Sequence, residues 1–175
     1  PNPLNLPFTE TFASGTVPPS GWSLSNPDND VTWTQSNTVG GFGQSTNSVY
    51  VDQSAPQTST VGEVDDLITP FINLSGVSTP AYLSFDVANA KYNNTYYDSL
   101  IVLASSDCGV TWACLYAKGG NSLQTAPATT NRFVPTAAQW RRDTIHIDSY
   151  VGQPDVKFSF ELKSGWGNVT YIDNV

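Results

Sequence analysis

Short runs of alternating apolar and polar residues, separated by clusters of Gly, Pro, Asn and Asp, recur along the whole chain. A period of two sends alternate side chains to opposite faces of a strand, and the turn clusters bound each run. Residues 81–88 and 99–105 are the clearest core strands. Runs at 8–12, 22–24, 31–35, 48–51, 111–116, 140–147, 156–162 and 169–175 carry the same signature, and 66–74 carries it with a bend at Pro70. Gly-rich and polar stretches at 38–47, 52–63 and 119–138 read as loops. The pattern predicts an all-β fold, a jelly-roll β-sandwich of roughly ten to twelve strands in two antiparallel sheets.

Composition sharpens this picture. Aromatics make up 12% of the 175 residues and charged residues only 13%. Helix formers such as Lys, Glu and Arg are therefore scarce, while strand formers abound. No internal repeat and no linker composition divides the chain, so residues 1–175 are expected to form one module. The chain has no Met and opens on Pro1-Asn2-Pro3, which reads as a module taken from a larger secreted protein.

A net charge of −8 argues against nucleic acid, whose phosphates need a basic surface, and against anionic membrane surfaces. No apolar run approaches the length of a membrane span, so no membrane insertion is expected. An acidic surface suits an extracellular protein and cation binding. Cys108 and Cys114 lie six positions apart. They are near enough to bond if their Cα atoms fall within about 7 Å, and equally able to remain thiols.

Two patterns carry local chemistry. Ser105-x-Asp107-x-Gly109-x-Thr111-Trp112 has the Asp-box spacing, in which an Asp knits a tight turn, a Gly takes positive φ and a Trp packs beneath. This is a structural hairpin and not a catalytic motif. The second pattern is acidic. Glu10 lies in the first run, Asp28 and Asp30 share one loop, and Asp173 lies near the C-terminal end. Calcium takes six to eight oxygens from carboxylates and loop carbonyls, and Glu10 and Asp173 close such a cage if the first and last strands are neighbours. Asp98, beside a tyrosine-rich loop, is a candidate for a second cation site. The competing reading makes all of these solvated acids and turn residues, as it does for Asp52, Asp65 and Asp66.

Catalysis has little to stand on. The single histidine, His146, alternates with Ile145 and Ile147 and falls on the polar face of its strand. One histidine makes no typical zinc hydrolase site, and no serine stands in a nucleophile elbow. No enzymatic activity is expected. Aromatic side chains point instead to binding: Tyr96 and Tyr97 in an Asn-rich loop, and Trp166 in Ser164-Gly165-Trp166-Gly167-Asn168. Ring faces beside amides suit sugars or protein hot spots. The alternative is that these rings cap the ends of the sandwich.

Several stretches, in order, resemble the cleaved-adhesin or choice-of-anchor domains of secreted Bacteroidetes proteins. They are Phe8-Thr9-Glu10-Thr11-Phe12, Pro18-Pro19-Ser20-Gly21-Trp22, Asp28-Asn29-Asp30-Val31-Thr32-Trp33, Asp66-Leu67-Ile68-Thr69-Pro70, Asp98-Ser99-Leu100, the Asp-box and Tyr171-Ile172-Asp173-Asn174-Val175. The resemblance implies a galactose-binding-like, MAM-like jelly roll with structural calcium at the Glu10, Asp28–Asp30 and Asp173 positions. It also implies secretion or cell-surface attachment, carriage beside a protease catalytic domain, and an extracellular protein or glycan as partner. The expected role is accessory adhesion or substrate targeting. A carbohydrate-binding module and a structural spacer are the alternatives.

Overall fold

The computed structural model describes residues 2–42, 46–54 and 61–175. The predicted loops at 38–47 and 52–63 lie partly outside the described residues. Among the described residues there are twelve strands: β1 (Leu4–Asn5), β2 (Ser23–Ser25), β3 (Thr34–Ser36), β4 (Ser48–Asp52), β5 (Val64–Ile68), β6 (Ile72–Asn73), β7 (Tyr82–Asn89), β8 (Ser99–Ser105), β9 (Ala113–Gly119), β10 (Arg141–His146), β11 (Lys157–Lys163) and β12 (Val169–Asp173). Ten of them form two antiparallel five-stranded sheets, ordered β10-β7-β12-β4-β3 and β2-β5-β11-β8-β9. β1 and β6 pair in parallel as a two-stranded ribbon.

The order is that of a jelly roll. From β4 to β12 the chain crosses between the sheets at nearly every step, and the β8–β9 hairpin is the one link between strands paired in the same sheet. Two interleaved Greek keys result. Alternation explains the burial. β8 reads iBiBiBB from Ser99 to Ser105, and Leu100, Val102 and Ala104 face inward. The inner faces meet around Phe12, Trp22, Trp33, Phe85, Leu100 and Phe160. Phe85 and Phe160 meet edge to face at 5.2 Å, and Trp22 stacks near Phe160 at 6.5 Å. Such ring pairs add to the stabilisation from apolar burial itself.

One predicted strand is absent. Residues 8–12 alternate, yet they join no ladder. Glu10 exchanges two backbone hydrogen bonds with Val175, at 2.8 and 3.0 Å. Its side chain then takes the amide of Phe12 at 2.6 Å, and Phe12 turns to φ 52°. The side chain captures the donor that would have continued the ladder. The bend foreseen at Pro70 is real and separates β5 from β6.

Candidate functional site

The β8–β9 turn is knitted by one carboxylate. Asp107 accepts from Ser105 Oγ, from the amides of Val110 and Thr111, and from Thr111 Oγ1. The Thr111 and Ser105 hydrogen bonds hold this exposed acid down at about 2. Cys108 and Gly109 both take positive φ, 64° and 87°, and the Trp112 ring lies against Gly109. Cys108 and Cys114 are exposed free thiols, so the bond left open by the sequence is not formed. Cys108 sits in this turn, whereas Cys114 lies across from Leu103 on β9 and points its thiol at the Tyr116 carbonyl.

The acids expected to share one cage fall into two clusters. Asp28, Asp30 and Glu63 bring carboxylate oxygens within 4.8 Å of one another. The register explains this: Ser25 pairs with Asp66, so the loop leaving β2 lies against the segment entering β5. Asp65 adjoins them, pushed up to about 6 by burial and by the charges of Asp28, Asp30 and Asp66. Asp30 is also raised, by burial and by Asp28. Buried oxygens Asp30 Oδ1 and Asp65 Oδ1 accept no hydrogen bond among the described residues. Crowded oxygens without donors are the chemistry a hard cation satisfies.

Glu10 and Asp173 form the second cluster with Asp86, which pairs directly with Asp173 across β7 and β12. Here donors already surround the carboxylates. Gly41 and Asn174 amides meet Asp173 at 2.6 and 2.7 Å. The Phe42 amide, Asn174 Nδ2 and the Arg142 guanidinium all meet Asp86. Burial pushes Asp173 up to about 6, opposed by the Gly41 and Asn174 amides and reinforced by Asp86 and Glu10. Its donor set therefore fits a bound cation less well than that of the Asp28 cluster.

Asp98 has a different task. It precedes β8, and the pairing of Ser99 with Lys163 brings it to the connection between β11 and β12. One oxygen accepts the amides of Gly165 and Gly167 at 3.0 and 2.9 Å. A Cβ on Gly165 would overlap the Tyr97 carbonyl, and one on Gly167 would overlap the Asp98 carboxylate, so both glycines are required by close approach. Burial raises Asp98 to about 6 against the pull of these amides. The result is a pinned loop that presents Trp166 at φ 56°. Asp98 joins neither acidic cluster among the described residues.

The predicted rings are exposed and gathered at this end of the sandwich. Tyr96, Tyr97 and Trp166 are 39%, 42% and 48% exposed, so they are not end caps of the core. Tyr96 and Trp166 lie 6.0 Å apart with planes at 49°, and Tyr92 meets Tyr96 edge to face. They make an angled cradle and not a flat platform. Beside it a depression of about 390 Å³ is lined by Lys91, Asn94, Tyr97, Gly119, Gly120 and Asn121. Lys91 and Asn121 escaped the sequence reading, since nothing local marks a lysine as buried. His146 is exposed on β10 with its ring 4.6 Å from that of Tyr82.

Two five-stranded sheets in jelly-roll order, with exposed rings on the connecting loops, define a jelly-roll β-sandwich. The fold is that of the cleaved adhesin domains of Lys-gingipain from Porphyromonas gingivalis W83. The K1 domain matches with TM-score 0.66 and 20% identity, over 95% of this chain and 94% of its own. The K3 domain matches with TM-score 0.62 and 20% identity, over 95% of each chain. Carbohydrate-binding module CBM27-1 of Caldicellulosiruptor saccharolyticus, solved with mannohexaose, matches with TM-score 0.55 and 12% identity over 96% of this chain and 94% of its own. No family model and no curated protein sequence matches this chain. No described helix is long and apolar enough to cross a membrane.

Proposed function

We propose that this chain is a non-catalytic adhesion or substrate-targeting module of a secreted or cell-surface protein, which holds its parent against an extracellular protein or glycan. The observation that supports this most is the pinned loop end. A buried carboxylate and two obligatory glycines hold Trp166 in the open beside Tyr96 and Tyr97. Exposed rings held rigidly are binding surfaces that lose little entropy on contact. The jelly-roll neighbours, which bind glycans or carry adhesin names, agree with this role. The test is binding of the chain to immobilised matrix proteins and a glycan array. Saturable binding lost in Trp166→Ala supports the reading, and a blank on both panels removes it.

Calcium belongs to the same reading as a stabiliser. Asp28, Asp30 and Glu63 are the residues that would hold it, because their oxygens converge, and the buried Asp30 Oδ1 and the adjoining Asp65 Oδ1 lack donors among the described residues. An ion there would neutralise crowded charge and tie the β2 loop to β5. Calcium at millimolar concentration is expected to raise the melting midpoint by several degrees over chelator, and Asp30→Asn to abolish most of that difference. Equal midpoints in calcium and chelator would remove calcium from the account.

A further inference from the structure

The depression beside the rings contains an excess of hydrogen-bond donors. Lys91 follows β7 and is only 6% exposed, in a chain carrying eight more negative than positive charges. Buried ammonium groups are ordinarily matched by a carboxylate. The four ion pairs among the described residues use Lys118, Arg132, Arg141 and Arg142, and none uses Lys91. Its Nζ donates instead to Asn94 Oδ1 at 2.9 Å and to Asn121 Oδ1. An ammonium has three N–H groups, so one remains. Because both amides turn their oxygens to Lys91, their N–H₂ ends face away from it, and neither has an acceptor among the described residues. All three side chains line the same depression.

We propose that this depression receives the carboxylate of an acidic pyranose at the end of a glycan, with Lys91 as the charge partner and Asn94 and Asn121 as flanking donors. The proposal rests on the binding-module reading above and names its ligand class. Three kinds of observation fit it together. Surplus donors around one cation call for an anionic acceptor. The angled Tyr96–Trp166 pair beside it suits a bent glycan terminus better than a flat crystalline chain. A second depression of about 530 Å³ shares Asn121 and extends over Gln124 and Pro127, giving room for the neighbouring neutral sugar. The net charge of −8 sets a limit, because it repels dense polyanions. The ligand therefore carries one carboxylate among neutral sugars.

Calorimetric titration of the chain with 3′-sialyllactose, a glucuronosyl-capped neutral oligosaccharide, their carboxyl-reduced forms and lactose tests this. The first two distinguish a sialic from a uronic acid, and binding of either one supports the proposal if carboxyl reduction weakens it. The expected loss on reduction is about 10–100-fold, the range of one charge-assisted hydrogen bond. Lys91→Gln and Asn94→Ala are expected to weaken the acidic glycan more than lactose. Asn94→Ala also serves if the Lys91 variant fails to fold. Equal affinity for the acidic and reduced forms overturns the acidic-sugar assignment while leaving a glycan module in place. Binding to matrix proteins with no response to any sugar overturns it too, and leaves adhesion standing. A blank on sugars and proteins alike overturns both readings.

Discussion

Asp65, Asp98 and Asp173 are all raised to about 6, burial being the first cause in each case. For an acid whose folded value lies above its unfolded one, the native state holds more protons between the two values. Stability then falls as pH rises from about 4 to about 6 and stays at the lower level above that. Asp107 and Asp143 work in the opposite sense. Both are held near 2, so their contribution is present above about 4 and fades as pH falls towards 2. In chelator the melting midpoint is therefore expected to peak near pH 4–5 and to decline towards pH 7. Asp98→Asn keeps an acceptor for the two glycine amides and removes the charge. It is expected to flatten the decline, with a change of roughly 3 kcal/mol at most for a two-unit shift. A pH series of melts that is flat from pH 4.5 to 7 for the parent chain would refute this.

Among the elements, β9 and β10 show how the sandwich closes one edge. β9 ends one sheet and β10 ends the other. Asp143 on β10 accepts from Tyr116 Oη at 2.7 Å and Lys118 Nζ at 3.0 Å, both on β9, and from Arg141 on its own strand. Burial alone would raise Asp143, but Arg141, Tyr116 and Lys118 hold it near 2. Asparagine at this position keeps one acceptor oxygen but removes the buried charge that Arg141 and Lys118 neutralise and puts an N–H₂ group where an acceptor stood. Asp143→Asn is expected to cost about 2–4 kcal/mol, whereas Tyr116→Phe removes one bond and costs about 1 kcal/mol. Urea melts of both variants check the ranking.

The same scale shows what was legible in the chain. β8 was readable to the residue, because its alternation is also its burial. Residues 8–12 alternate as well, yet the Glu10 side chain diverts the Phe12 amide, a choice that no period reveals. Sequence spacing could group Asp28 with Asp30. It could not bring Glu63 to them, because that contact depends on the β2–β5 register. Asp86 meets Asp173 and Lys91 meets Asn121 through pairings of the same long-range kind. The exposed rings were legible because large aromatics in polar loops are costly to leave in water without a use.

At the scale of the whole molecule, β12 lies third in its five-stranded sheet, flanked by β7 and β4. The chain's last residue, Val175, is bonded to Glu10 near its first. The proposed adhesion role would put the chain under tension. Tension applied at Val175 breaks its two bonds to Glu10 first and then runs along β12. That strand can leave only by shearing two ladders together, a route with a higher barrier than peeling an edge strand. Force spectroscopy is expected to record an early, small event followed by one high-force rupture. The strand that carries Asp173 would thus act as a mechanical fuse with two settings: a weak catch that yields early, and a clamp that keeps the grip.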